Sequence, residues 1–394
     1  MASTDTSPGS NAGSAGGTDS GAQGGSGSGA QGSSGSGAQG GSGSGAQAAI
    51  SRYAQAGVDI HKKYDAVERA TAMIRSTFTP GVVGDVGQFG GLFDPARMGF
   101  GDALLVASTD GVGTKLDVAK RAGVYDTVGR DIVNHCIGDI LVQGAWPLFF
   151  LDYIAVGKMD PPMVSDLIRG CAEACRDGGL ALLGGETAEM PGLYAPGDFD
   201  LAGTIVGAVK RDKLLDGTRV RPGQILLGLR SSGLHTNGFS LARRVLFDQL
   251  GLAITDRPRE LGGVPIGEAL LAVHRNYLPF VWPLLEANRI QALAHITGGG
   301  LVDNVPRVLG KCDAWIDRGA WEVPALFRYL CDKGDVGRDE AYQVFNMGIG
   351  MVAFVDERDL APVQAELAAR GETGLVIGRT AAATGSEGVV RWTR

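Results

Sequence analysis

The sequence predicts a two-domain α/β protein, α+β in its mixed sheets, led by a tail that does not fold. Three observations carry that reading. Between residues 50 and 394, short apolar runs that suit buried strands alternate with stretches of helical periodicity. A charged, turn-rich stretch, Lys210 to Arg221 followed by Pro222-Gly223, interrupts the alternation and marks a junction. Residues 1–49 hold 16 of the chain's 63 glycines and almost no bulky apolar side chain, so burial cannot offset the entropy of ordering them. The expected divisions are a tail over 1–49, an amino-terminal domain over 50–212 and a carboxy-terminal domain over 213–394.

Taken in order, residues 21–44 repeat the unit GAQGGSGS three times with one change, which suits a flexible tether. Ala66, Val67, Ala70, Met73 and Ile74 recur at helical spacing until Pro80 stops them. ALLVAS (103–108) reads as a buried strand, 128–141 as an amphipathic helix and PLFFLDYIAV (147–156) as a second buried strand. A helix over 163–176 and strands over 180–184 and 201–209 complete the first unit. Beyond the junction come a strand at 225–229, helices near 238–250 and 266–287, a strand at 291–296 and a helix at 301–309. Strands near 312–316, 348–355 and 373–378 then alternate with helices at 322–333 and 357–369. Two units of similar composition place the expected active site between them.

Composition excludes several classes of function. With 36 basic and 43 acidic side chains, the net charge of −7 offers no polyanion-binding footprint, so no nucleic-acid partner is expected. No apolar run reaches the roughly 18–20 residues of a membrane span, and the first basic residue is Arg52, so neither a membrane partner nor a signal peptide is expected. The reading is cytoplasmic. Cys136, Cys171, Cys175, Cys312 and Cys331 form no C-x-x-C pair and are read as buried reduced thiols.

Chemistry gathers in five segments. GVVGDVGQFGGLF (81–93) spaces Gly81, Gly84, Gly87, Gly90 and Gly91 so that backbone amides could surround an anion, or simply form a loop; it is neither G-x-G-x-x-G nor a P-loop. TDGVGTK (109–115) puts a carboxylate, glycines, a hydroxyl and an ammonium after a strand. Asp110 there suits Mg²⁺ and Lys115 phosphate oxygens, or Asp110 caps a turn. Asp139 lies on a helix face otherwise rich in Ile132, Cys136 and Ile140, where a charge needs a partner or a metal, or else it takes a solvated helix position. In LLGGETAEMPG (182–192) two glycines are expected to break a strand just before Glu186, with Glu189 structural. Asp110, Asp139 and Glu186 together suit one cation, without which they would repel. SSGLHTNG (231–238) and HITGGG (295–300) each follow a strand and precede a helix, suiting a phosphate monoester, with His235 and His295 as ligands or as hydrogen-bonded core residues.

These residues resemble a known family. Residues 51–394 are similar to phosphoribosylformylglycinamidine cyclo-ligase, also called aminoimidazole ribonucleotide synthetase, of de novo purine synthesis. The resemblance runs through AGVDI (56–60), FGGL, TDGVGTKL, D-x4-G-A-x-P from Asp139 to Pro147, PLFFLDY, GGETAEMPG, SSGLHTNG, HITGGGLVDNVPR and FNMGIGM (345–351). It implies a two-domain chain that forms a homodimer through its amino-terminal sheets and uses ATP with Mg²⁺, often helped by K⁺. The implied reaction turns formylglycinamidine ribonucleotide and ATP into aminoimidazole ribonucleotide, ADP and phosphate. By motif, Asp110, Asp139 and Glu186 would organise metal and ATP. Gly87, Gly90, Gly91, Gly111, Thr114 and Lys115 would line the phosphates. His235, Asn237, His295, Thr297, Gly298 and Gly299 would hold the ribotide, and Asp110, Lys115, Asp139 and His235 would carry the chemistry.

Departures from the family pattern are His61 to Tyr64 after AGVDI, Thr71 near a usual lysine, Gly138 where asparagine is common, and Trp146 where glutamate is frequent, a change expected at a surface or interface. Selenophosphate synthetase, thiamine monophosphate kinase, hydrogenase maturation factors and the longer formylglycinamidine ribonucleotide synthetase share the implied fold. The first generally needs a cysteine near the glycine loop, and none precedes Cys136. The last needs a glutaminase domain for which the chain has no room. A nucleotide-binding regulator without turnover would be expected to lack the acidic trio.

Overall fold

Two six-stranded sheets organise the computed structural model, which describes residues 82–84, 91–98 and 102–393. The tail, the helical pattern at 66–74, Thr71, Gly81, Gly87 and Gly90 lie outside the described residues. The first sheet uses β1 (Val82–Val83), β2 (Gly91–Phe93), β3 (Leu104–Gly111), β4 (Trp146–Val156), β5 (Ala181–Glu189) and β6 (Phe199–Val209) in the order β1-β2-β3-β6-β4-β5. Only the β4–β5 pair is parallel. Between these strands come α1 (Lys115–Ala122), α2 (Asp126–Leu141) and α3 (Pro161–Asp177).

Local chemistry explains the helices. Asp160 caps α3 by accepting from the Met163 amide at 3.4 Å, and Pro161 and Pro162 occupy the first turn, where no amide hydrogen is needed. α2 packs on β3 and β6 and is buried along nearly its whole length, while α3 packs on α2. Their close crossing depends on Gly129 and Gly170, because a Cβ at Gly170 would collide with the Asp126 carbonyl oxygen and one at Gly129 with that of Leu167.

The second sheet has the order β12-β9-β11-β7-β10-β8. Its chain runs through β7 (Ile225–Arg230), α4 (Phe239–Arg243, continuing as a π turn), α5 (Ile266–Leu271), α6 (Leu278–Glu286), β8 (Ala292–His295) and α7 (Gly300–Asn304). It continues through β9 (Cys312–Ile316), α8 (Ala325–Gly334), α9 (Arg338–Val344), β10 (Ile349–Val355), α10 (Leu360–Ala369), β11 (Leu375–Ala382) and β12 (Val390–Trp392). β7 and β10, neighbouring interior strands, are buried almost throughout, which is why their sequences are continuous apolar runs rather than alternations.

Two expectations change here. The helix expected over 266–287 is two, α5 and α6, because tertiary partners take the intervening backbone: Lys115 Nζ donates to the Ala272 carbonyl, and Asp131 accepts from the His274 amide. The strand expected to stop at 184 continues through Gly184-Gly185 to Glu189. Trp146, expected at a surface or interface, is half-buried and meets Trp282 of α6 edge-on at 4.7 Å, in a cleft with Gly144 and Leu215. The cysteines are free as expected, four buried and Cys331 half-buried, and burial pushes the Cys175 thiol up to about 12.

Candidate active site

β3 ends by presenting Asp110, whose Oδ1 accepts from the Gly111 amide at 2.7 Å and whose side chain stays 45% exposed. α2 runs beside it with Asp131, His135 and Asp139 at four-residue intervals, hence along one face. The second unit supplies His235 from the loop after β7, His274 from the break between α5 and α6, and His295 from the end of β8. All four histidines are buried, out of five in the chain.

His135 Nε2 lies 2.8 Å from Asp110 Oδ2 and 3.5 Å from Asp139 Oδ2. Its Nδ1 is 2.7 Å from Thr236 Oγ1, on the SSGLHTNG loop. Asp139 also accepts from Ser108 Oγ at 3.0 Å and from His295 Nδ1 at 2.9 Å. Once His295 donates through Nδ1, its Nε2 must accept, so His274 Nε2, 3.1 Å away, donates to it. His274 Nδ1 is then an acceptor, and it makes no hydrogen bond among the described residues. His235 stacks on His274 with centroids 3.9 Å apart and accepts from the Ser232 amide through Nε2 at 3.2 Å.

Electrostatics separate the histidines. Burial would push His135 down, but the Asp139 and Asp110 carboxylates outweigh it and raise the imidazole to about 9. Burial holds His235 and His274 well below the usual histidine range, each reinforced by neighbouring imidazoles, and also lowers His295, with Asp139 pulling back. The site therefore pairs one imidazolium with three neutral rings at neutral pH.

Residues 94–209 match the AIR synthase related protein N-terminal domain, and residues 221–391 match the C-terminal domain. The chain is 46% identical over 332 residues to the phosphoribosylformylglycinamidine cyclo-ligase of Lactobacillus delbrueckii subsp. bulgaricus, covering 84% of this chain and 95% of that one. The chain belongs to the phosphoribosylformylglycinamidine cyclo-ligase family. A further cyclo-ligase, from Trichlorobacter lovleyi, is 48% identical over 323 residues, 82% of this chain and 92% of that one. The fold is shared with the thiamine-monophosphate kinase from Stenotrophomonas maltophilia (18% identity, TM-score 0.56, 82% and 95% covered). It is also shared with AaThiL complexed with AMPPCP and TMP (15%, 0.58, 83% and 93%). As a member of the cyclo-ligase family, the chain is an enzyme.

The cyclo-ligase motifs are only partly brought together. Asp110 and Asp139 converge on His135, but Glu186 does not join them. Asp110 is in register with Gly203, Asp152 and Gly185 across β6, β4 and β5, which puts it three strand spacings, about 14 Å, from the neighbourhood of Glu186. Glu186 is also beside the exposed Tyr153, on the face of the sheet opposite the one Gly185 and Asp110 share. One cation cannot bridge that trio within the chain.

Lys115 is likewise turned from phosphate. It is fully buried, ion-paired to Asp131 at 2.7 Å, and donates to the carbonyls of His235 at 3.0 Å and Ala272 at 2.9 Å, so all three of its protons are engaged. Burial lowers its ammonium, against the pull of Asp131. It is a strut between the two units, and Thr114 beside it meets Ser240 at 3.2 Å.

His235 and His295 are buried beneath their loops, while Asn237, Thr297 and exposed Gly298 lie at the surface side, Asn237 Oδ1 being within 3.3 Å of where a Gly298 Cβ would stand. Gly299, at φ +98°, turns the chain into α7, and Gly91 sits in β2. Gly138 explains its own departure from the cyclo-ligase pattern: a Cβ there would stand 2.6 Å from His295 Cε1, so glycine lets that ring reach Asp139. Sequence reasoning missed His135 and His274; the four-residue run Asp131, His135, Asp139 was the signal available for the first.

Proposed function

We propose that this chain closes the imidazole ring of a purine precursor, converting formylglycinamidine ribonucleotide and ATP to aminoimidazole ribonucleotide, ADP and phosphate. The formamide oxygen attacks the γ-phosphorus, and ADP leaves with the electrons of the bond that breaks. The amidine nitrogen then adds to the activated carbon, and phosphate departs with the former formamide oxygen as a nitrogen proton is lost. Phosphorylation turns a poor leaving oxygen into a good one.

One observation supports this placement above others: the line from Asp110 through His135 to Thr236, which links the end of β3 to the SSGLHTNG loop across a single imidazole. We place ATP at the Asp110 end, with the Gly111–Thr114 turn, and the ribotide by Asn237, Thr297 and Gly298. The neighbour solved with AMPPCP supports a nucleoside triphosphate on this fold. Mg²⁺ arriving with ATP fits Asp110, since that ion keeps one or two carboxylates beside phosphate oxygens, and when bound it would neutralise charge on the transferring group. Asp139, buried among Ser108 and two imidazoles, fits a positioning role, fixing His295 and His135. The purified chain should form aminoimidazole ribonucleotide, ADP and phosphate in equal amounts; ATP hydrolysis without the ribotide product would reject the assignment.

The same reading makes the enzyme a cytoplasmic homodimer, its domains taken as 50–212 and 213–394 after the tail. Among the described residues no helix is long and apolar enough to cross a membrane. Leu148, Leu151 and Tyr153 of β4 and Leu183 of β5, the last 64% exposed, form an apolar strip on the first sheet. Light scattering should return twice 40.8 kDa, unchanged in proportion when residues 1–49 are removed, and Leu151→Glu with Leu183→Glu should give the monomer mass. A wild-type mass of one chain would contradict the pairing.

A further inference from the structure

We propose that His135, Asp139 and His295 form a binding site for a late first-row divalent ion such as Zn²⁺, separate in chemistry from nucleotide-bound Mg²⁺. One donor atom from each of the three lies within 4.8 Å of the other two, and all three residues are buried. Four tetrahedral ligands on a zinc ion with bonds near 2.0–2.1 Å stand about 3.3 Å apart; His135 Nε2 and Asp139 Oδ2 are 3.5 Å apart, and His295 Nδ1 and Asp139 Oδ1, hydrogen-bonded at 2.9 Å, would open slightly to admit the ion. A water would complete four-coordination, leaving Asp110 to nucleotide-bound Mg²⁺.

The donor set decides the class of ion. Two imidazole nitrogens and carboxylate oxygens suit zinc and its neighbours, whereas Mg²⁺ takes oxygen and keeps its waters. The surroundings match what such a site requires, because metal-bound histidines almost always engage their second nitrogen. His135 does so with Thr236 Oγ1 at 2.7 Å and His295 with His274 Nε2 at 3.1 Å. A metal on His295 Nδ1 would move that ring's proton to Nε2, where it donates to His274. Gly138 supplies the room, since only the absence of a Cβ lets the His295 ring lie against α2.

Cobalt is the probe. The full-length protein, stripped with a chelator and titrated with Co²⁺, should take up one ion per chain and develop the intense visible bands of a four-coordinate site. Zn²⁺ should abolish them, and a thousandfold excess of Mg²⁺ should not. His135→Gln and His295→Gln should each weaken binding at least a hundredfold. Thr236→Val and His274→Gln, which touch only the second nitrogens, should weaken it roughly 10- to 100-fold with an unchanged circular dichroism spectrum. Absence of the bands, displacement by Mg²⁺, or bands that survive all four substitutions would each overturn the site. Ring closure is not read in this titration, so its failure would leave the cyclo-ligase reading intact, and an inactive enzyme would leave the metal site intact.

Discussion

A Lys115→Met variant is expected to lose about 3–5 kcal/mol of stability, the usual consequence of removing one member of a buried ion pair. Asp131 would be left charged in the core, and the carbonyls of His235 and Ala272 would lose their donor. Because those carbonyls belong to the second unit, the loss should also loosen the seam between units, visible in hydrogen exchange at 272–274. Urea unfolding measures the main effect. Adding Asp131→Asn should recover part of it, since the amide removes the uncompensated charge and still accepts from the His274 amide. A Lys115→Met protein of full stability with a raised KM for ATP would instead return this lysine to the phosphates.

Asp110→Asn should act on catalysis and leave folding largely alone. The side chain is 45% exposed, and its amide replacement keeps the shape while removing the charge proposed to meet nucleotide-bound Mg²⁺. Loss of one such electrostatic group typically costs about 10²–10³ in kcat. Steady-state kinetics of ring closure at saturating ribotide would show it. A variant with wild-type kcat would place the nucleotide elsewhere.

Much of the fold could be read before the coordinates. Strands such as PLFFLDYIAV and the helix ending at Leu141 are fixed by local pattern, and β3 delivers Asp110 where its strand end implies. What escaped was set by contacts distant in sequence. Apolar periodicity spans 266–287, and Pro279 in the first turn of α6 is the one local mark of a new start; Lys115, Asp131 and Asn134 claim the backbone at 272–274, and that break is what carries His274 into the site. Gly184-Gly185 looked like a strand end; Gly185 instead lies against Asp152, where no Cβ fits, so the pair marks close packing inside a strand. A bulge between Phe150 and Leu151 then fixes which face Glu186 takes, and no single-strand pattern reveals a bulge's parity. Lys115 escapes a sequence reading for a related reason: it opens α1 pointing inward, and only the position of Asp131 on α2 shows that its charge is already matched.

The reaction itself is tested most directly by following the formamide oxygen. With ¹⁸O in the formyl group of formylglycinamidine ribonucleotide and unlabelled ATP, one turnover by the purified enzyme should place the label in inorganic phosphate, one atom per ring closed. Label released into water, or phosphate formed without it, would contradict activation of that oxygen by phosphoryl transfer.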